Sequence, residues 1–349
     1  MTWLNRLWFV VCVLGLGASA CGQLTFSLTD LGSLPGNLGS AAYAINNNGQ
    51  IVGEANVGST QHAFLYSNGV MSDLGILRGF QQSVGTAINA SGQVAGYDWT
   101  SNYLDDEAFL FNGSSTLPLG WIGTCVFNQG CYSYAYSMDS VGHVVGCTAV
   151  GYPRHPQAFL WDGTSMQGLL SAAGTDTCAL GTNGSQIVGY SDPSGWNLPH
   201  AIVWSSKFPT DLPALSQTVG SSANAINVNQ LIVGYSTASD GWWHAVSWSN
   251  GRITDLGTLG GYAQALAVSS DGWIVGDSQD SQGNDNGFLV ANRCGMQNLT
   301  AMLDSSGTGW TLATARGIND KHWIVGWGFA PDGFGHAYLL KPKGKQLCF

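Results

Sequence analysis

The sequence predicts an all-β fold: a seven-bladed β-propeller with four antiparallel strands per blade, the last blade closed by the N-terminal strand. Three observations carry this prediction. A stretch made of a polar turn-former, a short loop, two apolar residues and a glycine recurs seven times. Its final glycines are Gly53, Gly96, Gly146, Gly189, Gly234, Gly276 and Gly326, spaced 43, 50, 43, 45, 42 and 50 residues apart. A period in the forties marks an array of small supersecondary units. Each period also holds four short strand-like segments divided by turn residues, which is the content of one propeller blade. Finally, the two ends complement each other. The last period lacks its fourth segment, and an unaccompanied fourth segment, Asp30-Leu31-Gly32, stands near the start. Joining them closes the ring and hides two sheet edges that would otherwise invite aggregation. An open solenoid would need polar capping repeats, and the sequence contains none that are recognisable.

Composition suits a single exported β-rich domain over residues 21–349. Of the 349 residues, 44% are hydrophobic, only 9% are charged and 49 are glycine. The net charge of −10 argues against binding nucleic acid or an anionic membrane, both of which need a basic face. The one basic cluster, Lys341, Lys343 and Lys345, is too short to alter that balance.

Residues 1–20 read as an export signal. Arg6 supplies the positive start, residues 7–17 the apolar run, and Ala18-Ser19-Ala20 the small-residue cleavage site before Cys21. The run is short for a membrane span, which favours removal over anchoring. The stretch Gly17-Ala18-Ser19-Ala20-Cys21 resembles a bacterial lipobox, although Ala18 stands where leucine is usual. Two readings follow. Either Cys21 carries a lipid and is the chain's one link to a membrane, or the protein is secreted with Cys21 free. With Cys12 in the signal and Cys21 set aside, Cys125, Cys131, Cys147, Cys178, Cys294 and Cys348 remain, an even set suited to disulfides in an oxidising compartment. Cys125 and Cys131 share a loop and make an easy pair; the other pairings stay open.

In the first repeat the four segments are residues 41–46, 50–54, 62–66 and 70–74. Seven residues before each marker glycine stands Asn46, Asn89, Asp139, Thr182, Asn227, Ser269 or Asn319. These short polar side chains hydrogen-bond the backbone of a turn, so the column reads as turn chemistry rather than as a functional row. The third segment, His62-Ala63-Phe64-Leu65-Tyr66, returns as Ala108-Phe109-Leu110-Phe111, Ala158-Phe159-Leu160-Trp161 and His336-Ala337-Tyr338-Leu339. The fourth, Asp73-Leu74-Gly75, returns as Asp255-Leu256-Gly257. Together these segments resemble the bacterial HAF-repeat extracellular proteins, named for the His-Ala-Phe tripeptide, over essentially the whole mature chain. The resemblance implies export and repetition, and it brings no catalytic residues with it.

Function is less legible. No nucleophile elbow, zincin helix, CxxC motif, phosphate loop or dinucleotide fingerprint is present, so neither an enzyme nor a cofactor is indicated. His62, His200, His244 and His336 form one column, but equivalent positions on different blades cannot converge on one ion; a structural hydrogen-bonding role is expected, and no metal site. The acidic loop Asp277, Asp280, Asn284, Asp285, Asn286 has calcium-like oxygen ligands without the EF-hand spacing.

The long links, for example residues 98–106, 148–156, 191–199 and 278–286, open on one face of the ring. That is where binding is usually built on a rigid scaffold. Tyr97, Trp99, Tyr103, Trp196, Trp242, Trp243 and Trp327 lie in or beside these links and are the candidate ligand-binding residues, since such rings stack on sugars or anchor a protein. Trp161, Trp204 and Trp248, in the third segments, read instead as core. The expected role is a non-catalytic, monomeric extracellular recognition scaffold for carbohydrate or protein. The alternatives are a structural envelope protein without a discrete ligand and a glycan-acting propeller hydrolase.

Overall fold

Asn46 shows how the repeat folds locally. Its side-chain oxygen accepts the backbone N–H groups of Asn48 and Gln50, both at 3.0 Å, and Gly49 takes the left-handed conformation (φ 81°) that completes the turn. The strands Ser40–Ile45 and Ile51–Val57 leave this turn antiparallel, and Thr60–Ser67 and Val70–Asp73 follow in the same sheet. Each overlaps the segment expected from the sequence. These features come from a computed structural model that describes residues 24–344, except 37–38, 102–104, 126–129, 152–154, 172–175, 193–197, 207, 217–219 and 292–293.

The same unit recurs along the chain. Among the described residues there are five four-stranded antiparallel sheets and one eight-stranded sheet. The eight-stranded sheet is two four-strand runs, one from Gln82–Ile88 to Thr116–Pro118 and one from Tyr132–Met138 to Met166–Gly168, joined by a single parallel bridge at Asp106 and Tyr132. The arrangement is of β-propeller type. The N-terminal strand Thr25–Gly32 pairs antiparallel with Gly335–Lys343, Leu28 opposite Leu340 and Thr29 opposite Leu339, and so occupies the outer position of the final sheet. No helix among the described residues is long and apolar enough to cross a membrane.

The marker glycines are a matter of space. A Cβ on Gly53 would lie 1.9 Å from the Ala41 carbonyl oxygen, and one on Gly234 would lie 1.9 Å from that of Ser222. On Gly96, Gly146 and Gly276 it would also strike the rings of Phe109, Phe159 and Phe288. The third-strand aromatic therefore lies over a strand stripped of side chain. Phe64, Phe159, Phe288 and Tyr338 are all fully buried. Trp204 and Trp248 are buried too, and each indole N–H donates to a carbonyl, of Leu170 (2.8 Å) and Pro213 (2.7 Å) respectively.

Neighbouring sheets are tied by repeating polar contacts. The alanine of the third strand donates its N–H to a hydroxyl at the start of the next sheet: Ala63 to Ser83 (2.8 Å), Ala108 to Ser133, Ala158 to Thr177 and Ala201 to Ser221 (2.9 Å each). Ala337 does the same to Ser40 at 2.9 Å, which links the last sheet to the first. At the short-turn face, Asn46 donates its side-chain amide to Asn89 O, Asn227 to Ser269 O and Asn319 to Asn46 O. The turn column thus does more than cap turns: it also bridges sheets.

Two disulfides are described. Cys125–Cys131 closes the expected loop, and Cys147–Cys178 staples the second strand of one unit to the first strand of the next. Cys294 is disulfide-bonded as well. Cys21 and Cys348 lie outside the described residues.

Three of the four column histidines pair with an aspartate of the outer strand, while His200 is exposed. His62 pairs with Asp73 (2.8 Å), His244 with Asp255 (2.9 Å) and His336 with Asp30 (2.9 Å). The other ring nitrogen of His62 and of His244 reaches the link between strands two and three, at Thr60 (3.4 Å) and Asp240 (3.0 Å), while that of His336 lies 3.4 Å from the Asp332 carboxylate without a hydrogen bond. His62 and His244 therefore clamp that link to the outer strand. At His62 the order Thr–His–Asp has the outline of a hydrolytic triad, but the Thr60 hydroxyl donates to Val57 O at 2.8 Å and is committed to its turn.

Candidate functional site

Every first strand carries a β-bulge. The register slips between Ala42 and Ala44, Gly85 and Ala87, Ala135 and Ser137, Ala179 and Gly181, Ala223 and Ala225, Ala265 and Ala267, and Ala315 and Gly317. A bulge leaves one residue out of the ladder and re-aims its side chain. The seven extra residues are Tyr43, Thr86, Tyr136, Leu180, Asn224, Leu266 and Arg316, and all of them line one axial cavity of about 370 Å³. Val84 and Tyr97 join the lining on the side of the long links. Towards the short turns the space continues as a cavity of about 220 Å³ walled by Ile45, Ile88, Met138, Ile226 and Ile318. It ends in a mouth rimmed by Asn46, Asn89, Asp139 and Asp320.

The wall is chemically uneven. The Tyr43 hydroxyl donates to Glu54 Oε1 at 3.0 Å, and the Arg316 guanidinium carbon sits 4.8 Å from the centre of the Tyr43 ring. Burial, with Glu54 alongside, pushes the Tyr43 hydroxyl well above its ordinary range. Burial likewise raises the Glu54 carboxyl. Asp277 lies within 3.4 Å of both Gln264 Nε2 and Thr314 Oγ1, and burial raises it too.

On the other side, Tyr97 meets Tyr134 edge-on (4.7 Å between ring centres), and Tyr134 stacks on Tyr132 at 4.8 Å and donates to the Asp106 carboxylate. Desolvation, helped by Glu54 and Asp106, pushes Tyr97 up to about 12. Thr86 donates to Ala135 O (2.7 Å) and Asn224 to Ala265 O (2.9 Å), so these two polar residues also fasten adjacent first strands.

The aromatics singled out from sequence do not form one platform. Tyr97 lines the cavity and Trp99 packs beside it at 5.7 Å. Trp243 stacks on Tyr235 at 4.7 Å and tilts against Tyr262 at 6.2 Å. Trp242, 52% exposed, stands next to it, and Trp327 packs against Phe329 at 5.4 Å. Tyr103 and Trp196 lie outside the described residues. In the acidic loop, Asp280 accepts the N–H groups of Gln282 and Asn284 (2.9 Å each) and so closes its own turn. Among the described residues, the one His/Cys/Asp/Glu group tight enough for an ion is Asp105 with Cys125 and Cys131, whose sulfurs are joined to each other.

The cavity-lining residues did leave a sequence signal. Each stands between two small residues in the first strand, as in Ala42-Tyr43-Ala44 or Ala315-Arg316-Gly317. The flanks are uniform while the central residue changes its chemistry from repeat to repeat.

No protein-family model and no curated protein matches this sequence. Solved structures do resemble it. A Mycobacterium tuberculosis puromycin-hydrolyzing peptidase superposes with a TM-score of 0.61 at 11% identity, over 88% of this chain and 52% of that one. A puromycin hydrolase complexed with PGG gives 0.59 at 13% identity, over 89% and 54%. The extracellular domain of a one component system protein from B. thetaiotaomicron gives 0.52 at 10%, over 89% and 39%. The likeness is one of fold. The chain spans about half the length of the first two proteins and less of the third.

Proposed function

We propose that this chain is an exported, non-catalytic seven-bladed β-propeller of the HAF-repeat kind, whose axial cavity binds a small polar ligand such as the end of a glycan. The observation that carries the reading is the set of bulges. A repeat protein keeps one residue type where blades pack, as with the marker glycines and the third-strand alanines. It varies the type where an asymmetric ligand must be met. Here the seven bulged positions hold two tyrosines, a threonine, two leucines, an asparagine and an arginine around one space. Rings, donors and acceptors mixed in a concave site are what recognition of a sugar needs.

The seven-blade count is supported by the recurrence, between the last and first sheets, of the Ala–Ser and Asn–carbonyl contacts found between neighbours along the chain. Export is supported by the disulfides, which persist in oxidising compartments. Trp242 and Trp243, 52% and 45% exposed, favour a protein as a second class of ligand, held on the outer loops rather than in the cavity.

The test is a glycan array together with saturation-transfer NMR on the full chain. Binding that falls at least tenfold in Tyr97→Ala, with thermal melting unchanged, supports the cavity. Binding lost instead in Trp242→Ala and Trp243→Ala moves recognition to the loops. Silence towards every glycan and every secreted protein tried removes the recognition role.

A further inference from the structure

Arg316 is the only cation among the seven bulged residues, and among the described residues no carboxylate is in direct contact with it, although the charges of Glu54 and Asp277 reach it. It forms no ion pair within 4.0 Å among the described residues, and its Nε is buried with no hydrogen-bond partner. The two acids whose charge reaches it are engaged elsewhere: Glu54 accepts from Tyr43, while Asp277 has Gln264 and Thr314. Arg316 as a whole is half-buried, but a buried donor such as its Nε left unpaired is costly. A guanidinium presents its N–H groups as a fork that matches a carboxylate with two parallel hydrogen bonds. Tyr43, against which the guanidinium lies, holds that fork in place at the wall.

We propose that the axial cavity seats the carboxylate of an anionic ligand on Arg316, a deepening that rests on the recognition role above. A volume of about 370 Å³ admits a group the size of one sugar ring or one amino-acid residue. The shared chemistry is a carboxylate on a small polar body, from either a uronic acid of a glycan or the free α-carboxylate of a peptide. The groups facing Arg316 are Glu54, Asp277, Tyr43 and Tyr97, from four different strands. Both acids are raised by burial, so they take up protons at a higher pH than an ordinary carboxyl does. Both tyrosines stay neutral throughout. Negative charge is thereby removed from around the guanidinium, and a carboxylate ligand binds more tightly at pH 5 than at pH 8.

The experiment titrates the full chain with glucuronate, glucose and N-acetylalanine by calorimetry, in the unaltered protein and in Arg316→Gln and Arg316→Lys. At least one acid binds, more tightly than glucose and more tightly at pH 5. Arg316→Gln weakens it at least tenfold; Arg316→Lys, which keeps the charge and loses the fork, falls between. Glucuronate binding alone assigns a glycan ligand, and N-acetylalanine binding alone a peptide. Should Arg316→Gln fail to fold, the lysine variant and the pH dependence carry the test. Glucose and glucuronate binding alike, indifferent to Arg316, overturns the anion seat and leaves glycan recognition standing. Failure of both acids to bind overturns the anion seat as well, whatever the glycan array shows.

Discussion

His336 Nδ1 lies 2.9 Å from Asp30 Oδ2, a contact between residues 306 positions apart that reproduces the pairs His62–Asp73 and His244–Asp255 made within single sheets. The N-terminal strand therefore supplies the last sheet with the same aspartate that the sheets of His62 and His244 draw from their own fourth strand. The pair itself is worth little, because Asp30 is 42% exposed and water screens it. The strand is held mainly by its apolar face, with Phe26, Leu28 and Leu31 buried.

That difference can be measured. Phe26 is fully buried in a cluster with Leu299, Met302 and Leu312, so Phe26→Ala should cost about 3–5 kcal/mol. Asp30→Ala should cost about 1 kcal/mol or less. Urea unfolding of both variants is the check. A Phe26→Ala protein within about 1 kcal/mol of the parent would mean that the N-terminal strand does not close the last sheet.

The marker glycines make a sharper demand. A Cβ at position 234 would sit 1.9 Å from Ser222 O and 3.1 Å from the Cα of Ala223, both backbone atoms that cannot step aside. Gly234→Ala should therefore prise two strands apart and cost about 3 kcal/mol or more. Gly283 is the control. It has open space around it and a positive φ of 84°, so Gly283→Ala should cost about 1–2 kcal/mol from backbone strain alone. Equal costs at the two sites would show that space at Gly234 is not the reason for the glycine.

Much of this architecture was legible in the residues because it is periodic. A glycine forced by a close approach and an asparagine that caps a turn must reappear wherever the unit reappears. For the same reason the buried role of Trp204 and Trp248 and the hydrogen-bonded role of His62, His244 and His336 followed from column membership. The cavity was hidden by the opposite property. Tyr43, Asn224 and Arg316 share a position but no chemistry, and only the bulge, a backbone event, turns them to one point. Tyr97 was singled out as a loop aromatic, yet its place in the wall depends on Tyr134, which arrives from the next unit. The Cys147–Cys178 pairing was likewise unreadable, since it requires knowing which strands of adjacent units face each other.

That disulfide joins two units directly. Neighbouring interfaces fill the equivalent place with Tyr97 against Tyr134 and with Asp277 against Thr314, contacts that reform easily after local opening. A cross-link over 31 residues should contribute about 3–4 kcal/mol through the unfolded chain. The shorter Cys125–Cys131 loop should contribute about 2 kcal/mol. Dithiothreitol should lower the melting temperature, and Cys147→Ser with Cys178→Ser should reproduce part of the loss without reductant. A double variant that melts with the oxidised parent would remove the staple from the account of stability.

Asp98 gives the clearest pH dependence. Its carboxyl is fully buried: one oxygen accepts the Leu77 N–H at 3.0 Å and the other, Oδ1, has no partner. Burial pushes it up to about 8, with the nearby Glu107 also acting to raise it, against an ordinary value near 4. The folded protein therefore holds this proton from about pH 4 to about pH 8, where the unfolded chain has already released it. Stability must fall as pH rises through that window, by up to about 1.4 kcal/mol per pH unit for one group. Above the folded-state value the loss levels off. Asp98→Asn keeps an oxygen for Leu77 and never ionises, so it should be more stable than the parent at pH 8 and show a flatter profile between pH 5 and pH 8. Parallel profiles for the two proteins, measured by urea unfolding, would show that Asp98 is ionised in the folded state and that some other group carries the dependence.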